Sequence, residues 1–183
     1  MHEVSKHVDW ELTEDQALAI VTLVNGIWPS EDKTIQEMVL DLLTRSPKID
    51  RDSVRYVIWD GDQAVVHART FARRILTPEG AIEEMALAGV CVHPNCRGGG
   101  LGAMIARSAF ERVDNQLFPI SLFQTGVPDF YLKLGARVID NRFVNSKNKA
   151  APNENPWWDT HVMIYPSSYE WTEGTIDLNG PGY

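Results

Sequence analysis

One short stretch, Val-Cys-Val-His-Pro-Asn-Cys-Arg-Gly-Gly-Gly-Leu-Gly at residues 90–102, constrains the fold more than any other part of the chain. An apolar strand runs into a proline-marked turn, then an arginine, then four glycines within five residues, and then an apolar helix. Glycines let a backbone approach an anion closely, and the N–H groups at a helix start point at that anion along the helix dipole. The stretch therefore predicts a site for a phosphorylated ligand.

Two other interpretations of this stretch are weaker. A glycine-rich connection without a ligand is one, but four glycines carry an entropic cost that an unused turn need not incur. A Rossmann dinucleotide site is the other. It does not fit, because the Gly-x-Gly-x-x-Gly spacing is absent and the stretch follows an antiparallel meander rather than opening a βαβ unit.

The segments before the loop predict two helices and three strands. A helix is predicted over 13–27, where Thr13 and Gln16 have capping-box spacing, and a second from about 31 to 44, with Ser30 as N-cap and Pro47 after its end. Strands are predicted over 54–59, 64–76 and 82–92. Two turn signals separate them, so they form an antiparallel meander: Asp60-Gly61-Asp62 and Thr77-Pro78-Glu79-Gly80.

After the loop, the pattern alternates between helix and strand. Helices are predicted at 101–117 and 127–134, the second stopped by Gly135 in a left-handed conformation. Strands are predicted at 119–124, 136–144 and 161–165, with a polar loop at 145–159 and a loosely structured tail from 167 to 183. The strand–loop–helix–strand unit should be a parallel crossover, so the expected class is α/β (α+β) with one mixed sheet.

Composition limits the partners and the location. With 183 residues, 44% hydrophobic and 23% charged, the chain fits one domain with a real core, and no apolar run approaches the roughly 20 residues of a membrane span. The first residues lack the pattern of a secretory signal, so we expect a cytoplasmic protein. The net charge of −8 argues against nucleic-acid binding and suits a cationic partner such as an amine, although a solubilising charge is the plainer explanation.

The two cysteines indicate neither a metal site nor a disulfide. Cys91 and Cys96 have no second cysteine pair and no histidine pair nearby, so zinc-site spacing is missing. Cys91 lies in an apolar strand and should be a small packed residue, and disulfides are rare in cytoplasmic proteins. We therefore expect no metal.

The order of elements, with Arg97-Gly98-Gly99-Gly100-Leu101-Gly102 at its centre, resembles the GCN5-related N-acetyltransferase (GNAT) superfamily. The family's pyrophosphate loop, Arg/Gln-x-x-Gly-x-Gly/Ala, is matched without a gap, and Phe130-Tyr131-Leu132-Lys133-Leu134-Gly135-Ala136 resembles a second family segment. The resemblance covers roughly residues 10 to 166. It implies one GNAT-type acetyltransferase domain over 1–166 with a C-terminal extension over 167–183. The implied sheet is mixed and mostly antiparallel, flanked by helices, with a splayed strand at the cofactor site.

A closer likeness is to the aminoglycoside 2′-N-acetyltransferases. Val66-His67-Ala68, Arg73-Arg74, Gly89-Val90-Cys91-Val92 and Asp159-Thr160-His161-Val162 follow their layout. Those enzymes carry an acidic residue just before the glycine of the central strand, where it faces the acceptor. This chain has Ala88 there, which leaves the acceptor open.

The resemblance implies acetyl-CoA as cosubstrate and assigns two groups of residues to it. The loop Arg97, Gly98, Gly99, Gly100, Leu101 and Gly102 would hold the pyrophosphate, and the main chain of Val90, Cys91 and Val92 would pair with the pantetheine arm. One of those strand N–H groups would polarise the thioester carbonyl. Tyr131 would be the general acid that protonates the departing thiolate; its alternative role is a packing aromatic.

The general base is less specified by the sequence. Glu84 shares strand parity with Ala88 and Val90, so it could act on the acceptor ammonium through a water; the alternative is a solvated glutamate at a hairpin end. His67 is a second candidate, with a histidine bonded inside the sheet as its alternative.

The expected activity is direct acetyl transfer to the amine of a small molecule in a ternary complex. Two other hypotheses remain open: a non-catalytic acyl-CoA-binding module, and a transferase of a longer acyl chain. We expect no nucleic acid and no membrane among the partners, and a homodimer as the oligomeric state.

Overall fold

The computed structural model describes residues 2–44 and 52–183. Four helices and nine strands are assigned within these residues. The helices are α1 (Glu14–Ile27), α2 (Ile35–Thr44), α3 (Leu101–Asp114) and α4 (Pro128–Leu132). The strands are β1 (Ser5–His7), β2 (Val54–Asp60), β3 (Gln63–Thr77), β4 (Gly80–Val92), β5 (Ser121–Thr125), β6 (Arg137–Ile139), β7 (Arg142–Val144), β8 (His161–Tyr165) and β9 (Thr175–Asp177).

The strands form one mixed sheet in the order β1-β2-β3-β4-β5-β8-β6, with β9 pairing both β3 and β7. β4 pairs with β5, and β7 with β9, in parallel, whereas β1–β2, β2–β3, β3–β9, β5–β8 and β6–β8 pair antiparallel. The α/β (α+β) class, the mixed mostly antiparallel sheet and the flanking helices are confirmed. No helix among the described residues has the length and apolar character needed to cross a bilayer.

The described residues fall into two compact units, and β3, β4 and α3 each contribute to both. The first unit comprises 2–44, 52–71 and 89–109, and its core packs α1 and α2 against strand residues such as Val57, Ala64 and Cys91. The second comprises 72–88 and 110–183. Its core packs residues of β5, β8 and the tail, including Leu122, Ile164 and Ile176.

The first helix begins as the sequence predicts, and the second begins later. Thr13 accepts a hydrogen bond from the Gln16 N–H while the Gln16 side chain accepts one from the Thr13 N–H, which completes a capping box. The predicted start of α2 near residue 31 is wrong. The same reciprocal bonding occurs at Thr34 and Glu37, so α2 begins at Ile35. Pro47 lies outside the described residues.

Two expectations for the C-terminal half are corrected. The predicted strand over 136–144 is two strands, because β6 pairs with β8 whereas β7 pairs with β9. The tail is also not loosely structured, since it contains β9 and buries Ile176 and Leu178 completely. The division of the chain at residue 166 stays a prediction.

Candidate active site

The glycine loop lies in the first unit, between β4 and α3. A single 3-10 turn, Pro94–Cys96, follows β4, and the Arg97 Nε then donates to the Val92 carbonyl at 3.2 Å, which closes the base of the loop. Gly98 and Gly100 have φ of +86° and +78°, a conformation that L side chains rarely adopt. The chain can therefore turn directly into α3, whose first residue, Leu101, is buried.

This loop fits a phosphate group. A Cβ added at Gly98, Gly99 or Gly100 would meet no atom within 4 Å, so the backbone faces open space. The first N–H groups of a helix have no partner within the helix, and α3 carries no acidic residue in its first turn to compete for them. The loop thus has the exposed donors, the positive helix end and the nearby arginine that an anion requires.

The strand that feeds the loop pairs with β5 over a short length. The parallel ladder comprises Met85 with Ser121 and Ala86 with Leu122, whereas β4 runs on to Val92. The residues after this ladder are those at which the sequence predicts a splayed strand. Burial raises the pKa of the Cys91 thiol to about 12, so this cysteine stays protonated and is a packing residue.

His67 is buried on β3 in the first unit, and both of its ring nitrogens are engaged. Nδ1 lies 2.8 Å from the Gly89 carbonyl oxygen, and Nε2 lies 3.0 Å from Nη1 of Arg55. Burial, and then the positive charge of Arg55, lower the pKa of His67 to about 3. The imidazole is therefore neutral, and this geometry favours an organising role over that of a base.

Glu84 is completely buried at the other end of β4, in the second unit. One carboxyl oxygen accepts a hydrogen bond from the Tyr183 hydroxyl at 2.6 Å, and the other accepts one from the Leu122 N–H at 3.2 Å. Burial raises the pKa of Glu84 to about 8, although these two donors and the charge of Arg73 pull it down. A carboxyl group with this pKa can exchange a proton near neutral pH.

Tyr131 also lies in the second unit, on the short helix α4. Its ring is buried and contacts Phe123 and Phe130, with centroids 4.6 Å and 4.8 Å away. The helix that carries it is confirmed, and Gly135 stops it with a φ of +91°. The acid role of Tyr131 stays a prediction.

A family model described as an acetyltransferase (GNAT) domain matches residues 11–139, which is more than half of the chain and includes the glycine loop. The chain belongs to the GNAT acetyltransferase family. The resemblance seen in the sequence is thereby confirmed, and the family supports acyl-CoA-dependent acyl transfer as the general chemistry. The closer likeness to aminoglycoside 2′-N-acetyltransferases stays a prediction.

Three solved structures share the fold, and two of them are described as GNAT N-acetyltransferases. Escherichia coli YhbS, a GNAT family N-acetyltransferase in complex with CoA, has a TM-score of 0.64 at 12% identity, covering 97% of this chain and 89% of its own. E. coli ElaA has a TM-score of 0.55 at 18% identity, covering 90% of this chain and 99% of its own. A GCN5-related N-acetyltransferase from Kribbella flavida aligns with a TM-score of 0.57 at 22% identity. That alignment covers 75% of this chain but only 33% of the longer protein. No curated protein sequence matches the chain.

Sequence reasoning gave no role to several residues that contact the candidate bases Glu84 and His67 or the partners of these bases. Tyr183 contacts Glu84 through its hydroxyl, and Arg73 lies over the Tyr183 ring, 5.2 Å from its centroid. Arg55 contacts His67 and is itself bonded to Asp9. The one available signal was charge inside apolar strands, because Arg55 and Arg73 both interrupt strand patterns.

Proposed function

We propose that this GNAT protein is an acetyl-CoA-dependent N-acetyltransferase that transfers acetyl directly to the amine of a small molecule in a ternary complex. One observation carries the donor assignment: an open, left-handed glycine loop leads into α3, and Arg97 is held at its base. Acetyl-CoA supplies the acetyl thioester. Family membership supports an acyl-CoA donor, and the structure of E. coli YhbS, which has this fold, contains bound CoA.

On the donor side, the loop residues 97–102 would bind the pyrophosphate through backbone N–H groups and the Arg97 guanidinium. The main chain of Val90, Cys91 and Val92 would pair with the pantetheine arm. An N–H group among these three would donate to the thioester oxygen as negative charge develops on it, and a donor already in place needs no reorganisation.

The general acid in this proposal is Tyr131. A phenol with a usual pKa of about 10 can protonate a thiolate whose conjugate thiol has a pKa of about 8.5. The buried environment against Phe123 supports a defined orientation of the ring.

The general base in this proposal is Glu84, acting through a water. Its raised pKa, about 8, gives it the basicity needed to take a proton from an ammonium group. His67 is the alternative base, but burial and the charge of Arg55 lower its pKa to about 3, so it is a much weaker base than Glu84. We therefore place Glu84 first.

The acceptor is proposed to be a small amine without further specification. Ala88 does not offer the acidic side chain that aminoglycoside 2′-N-acetyltransferases place there, so the acceptor is not assigned to that class. We further propose a cytoplasmic homodimer that uses neither metal, membrane nor nucleic acid, and sedimentation equilibrium checks the dimer.

Two measurements test this proposal. Calorimetric titration with acetyl-CoA should show one site per chain, and the absence of binding would remove the donor assignment. Thiol release should then be followed with a library of amines, using acetyl-CoA and longer acyl-CoA thioesters side by side. Binding without turnover would favour the non-catalytic module, and faster turnover of a longer thioester would favour that acyl group.

A further inference from the structure

A line of buried polar groups in the first unit ends on the backbone of β4. Asp9 Oδ1 accepts from Arg55 Nε at 2.6 Å, Arg55 Nη1 reaches His67 Nε2 at 3.0 Å, and His67 Nδ1 reaches the Gly89 carbonyl at 2.8 Å. Asp9 also accepts from Ser53 Oγ at 3.1 Å. All four residues, Asp9, Ser53, Arg55 and His67, are at most 7% exposed.

The chemistry of these groups determines where the histidine proton lies. A guanidinium can only donate, so Nε2 of His67 must accept from Arg55. The remaining proton of the neutral ring is therefore on Nδ1, which donates to the Gly89 carbonyl oxygen. Asp9 holds Arg55 in place, and Arg55 thereby selects the histidine tautomer.

The acceptor of this bond is a peptide group in an unusual backbone conformation. Gly89 has a φ of +58°, and a Cβ at this position would lie 3.3 Å from Cε1 of His67. The Gly89–Val90 peptide is trans. In a trans peptide the carbonyl and the next N–H point in opposite directions, so the Val90 N–H points away from His67.

We infer that Asp9, Arg55 and His67 are positioning residues that set the Gly89–Val90 peptide so that the Val90 N–H is aimed at the thioester oxygen of the donor. This inference rests on the proposed function, because it needs an acyl-CoA thioester beside β4. None of the three side chains touches the reacting atoms. They act by restricting the rotation of one peptide plane through its carbonyl.

A purely stabilising role explains the arrangement less well. A buried ion pair with its desolvation cost is often no more stable than packed apolar side chains of similar volume, so stability alone does not favour this arrangement of charges. A hydrogen-bond donor that is aimed before charge develops is, in contrast, worth a large factor in rate. The line of buried polar groups ends on Gly89, a left-handed glycine next to the proposed oxyanion donor. This position fits the role of aiming that donor.

The kinetic test compares three variants. His67→Leu removes both bonds, His67→Gln offers one donor and one acceptor at the same place, and His7→Leu removes a histidine of β1 that bonds Ser5 instead of β4. For His67→Leu we expect kcat to fall about 10- to 100-fold, somewhat less than the loss of a whole oxyanion donor, with KM for acetyl-CoA within about twofold. His67→Gln should recover most of kcat, and His7→Leu should match the parent protein.

A second readout needs neither turnover nor a bound ligand. In the parent protein, ¹⁵N NMR should show His67 as the neutral Nδ1–H tautomer between pH 6 and 8. The Val90 amide resonance should shift in His67→Leu and return towards its original position in His67→Gln. This measurement on the parent protein holds even if His67→Leu fails to fold.

The outcomes separate this inference from the proposed function. A protonated His67, an Nε2–H tautomer, or a Val90 resonance unchanged in His67→Leu would overturn the positioning role. So would a folded His67→Leu variant with the parent kcat. The parent protein could also transfer no acetyl group and yet show the expected tautomer and amide shift. That result would refute the proposed function. It would demonstrate the backbone restraint but overturn its catalytic purpose.

Discussion

At the scale of single residues, Glu84 combines complete burial with hydrogen bonds from neutral donors. Its two neighbours in the structure, the Tyr183 hydroxyl and the Leu122 N–H, are neutral donors. Desolvation therefore dominates, and it raises the pKa of Glu84 to about 8. A base must be deprotonated to act, so the pH of the medium should control this residue across the physiological range.

We expect kcat/KM for the amine to rise with pH through an apparent pKa near 8. The Tyr183 hydroxyl stabilises the carboxylate, so Tyr183→Phe should raise the pKa of Glu84 further and move this limb of the profile to higher pH. The measurement is the pH dependence of thiol release at low amine concentration.

The control for this profile is Glu84→Gln. An acceptor amine can itself produce a rising limb as it loses its proton. If Glu84→Gln keeps both the rate and the limb of the parent protein, the titrating group belongs to the acceptor and Glu84 is not the base.

His67 gives an independent prediction about stability. Its pKa is lowered to about 3 by burial, against about 6.5 in the unfolded chain. The unfolded state thus takes up a proton first as the pH falls, so stability present above pH 6.5 is lost below it. Between pH 7 and pH 5 this single group should reduce the free energy of unfolding by about 2 kcal/mol.

Urea denaturation at pH 7 and pH 5 measures this loss. The His67→Gln variant has no titrating group at this position. Its free energy of unfolding should therefore fall by about 2 kcal/mol less than that of the parent protein over the same interval. Equal falls in the parent and the variant would show that His67 titrates normally in the folded protein.

At the scale of elements, the three adjacent glycines of the glycine loop can be compared with one another. Gly98 and Gly100 have left-handed φ values, whereas Gly99 does not, and all three face open space. Alanine should therefore strain the backbone at 98 or 100 by about 1–2 kcal/mol and be tolerated at 99. Gly98→Ala and Gly100→Ala should weaken acetyl-CoA binding about tenfold in calorimetry, while Gly99→Ala binds within about threefold of the parent protein. Equal affinities at all three positions would contradict the assignment of the glycine loop as the acetyl-CoA site.

Elements with local signals were predictable, and elements made by distant pairing were not. The capping box of α1, the glycine stop after α4 and the strand β8 are each encoded by neighbouring residues. In contrast, β9 is defined by pairing with distant strands: all three of its residues pair with β7, and Asp177 also pairs with Leu76 of β3, about a hundred residues earlier. The split of 136–144 into β6 and β7 has the same cause, since each half pairs with a different strand.

The candidate site shows the same division. The glycine loop is one contiguous motif, so its residues could be named from the sequence. The residues that bond to the candidate site from elsewhere in the chain could not be named. Asp9 contacts Arg55 across 46 residues of sequence, and Tyr183 contacts Glu84 across 99. The pKa values of His67 and Glu84 move in opposite directions for one reason, burial of an ionisable group, and the strand pattern does not reveal which polar residue is covered.

At the scale of the whole molecule, the tail is part of the second unit and not an appendage. Ile176 and Leu178 are fully buried in its core, and β9 pairs with both β3 and β7. The Tyr183 ring packs edge-on against Trp157, and its backbone oxygen accepts from the Gln124 side chain. The segment 167–183 therefore both completes the core of this unit and covers the Glu84 carboxyl group.

We expect a chain that ends at residue 166 to be much less stable than the full chain. It would expose the core surface that Ile176 and Leu178 cover, and burial of one such side chain is worth about 3 kcal/mol. Ile176→Ala in the full chain should cost that amount, whereas Thr175→Ala, at the neighbouring exposed position, should cost less than about 0.5 kcal/mol. Urea denaturation of the three proteins checks this. If residues 1–166 unfold cooperatively with the stability of the full chain, the tail is a dispensable extension after all.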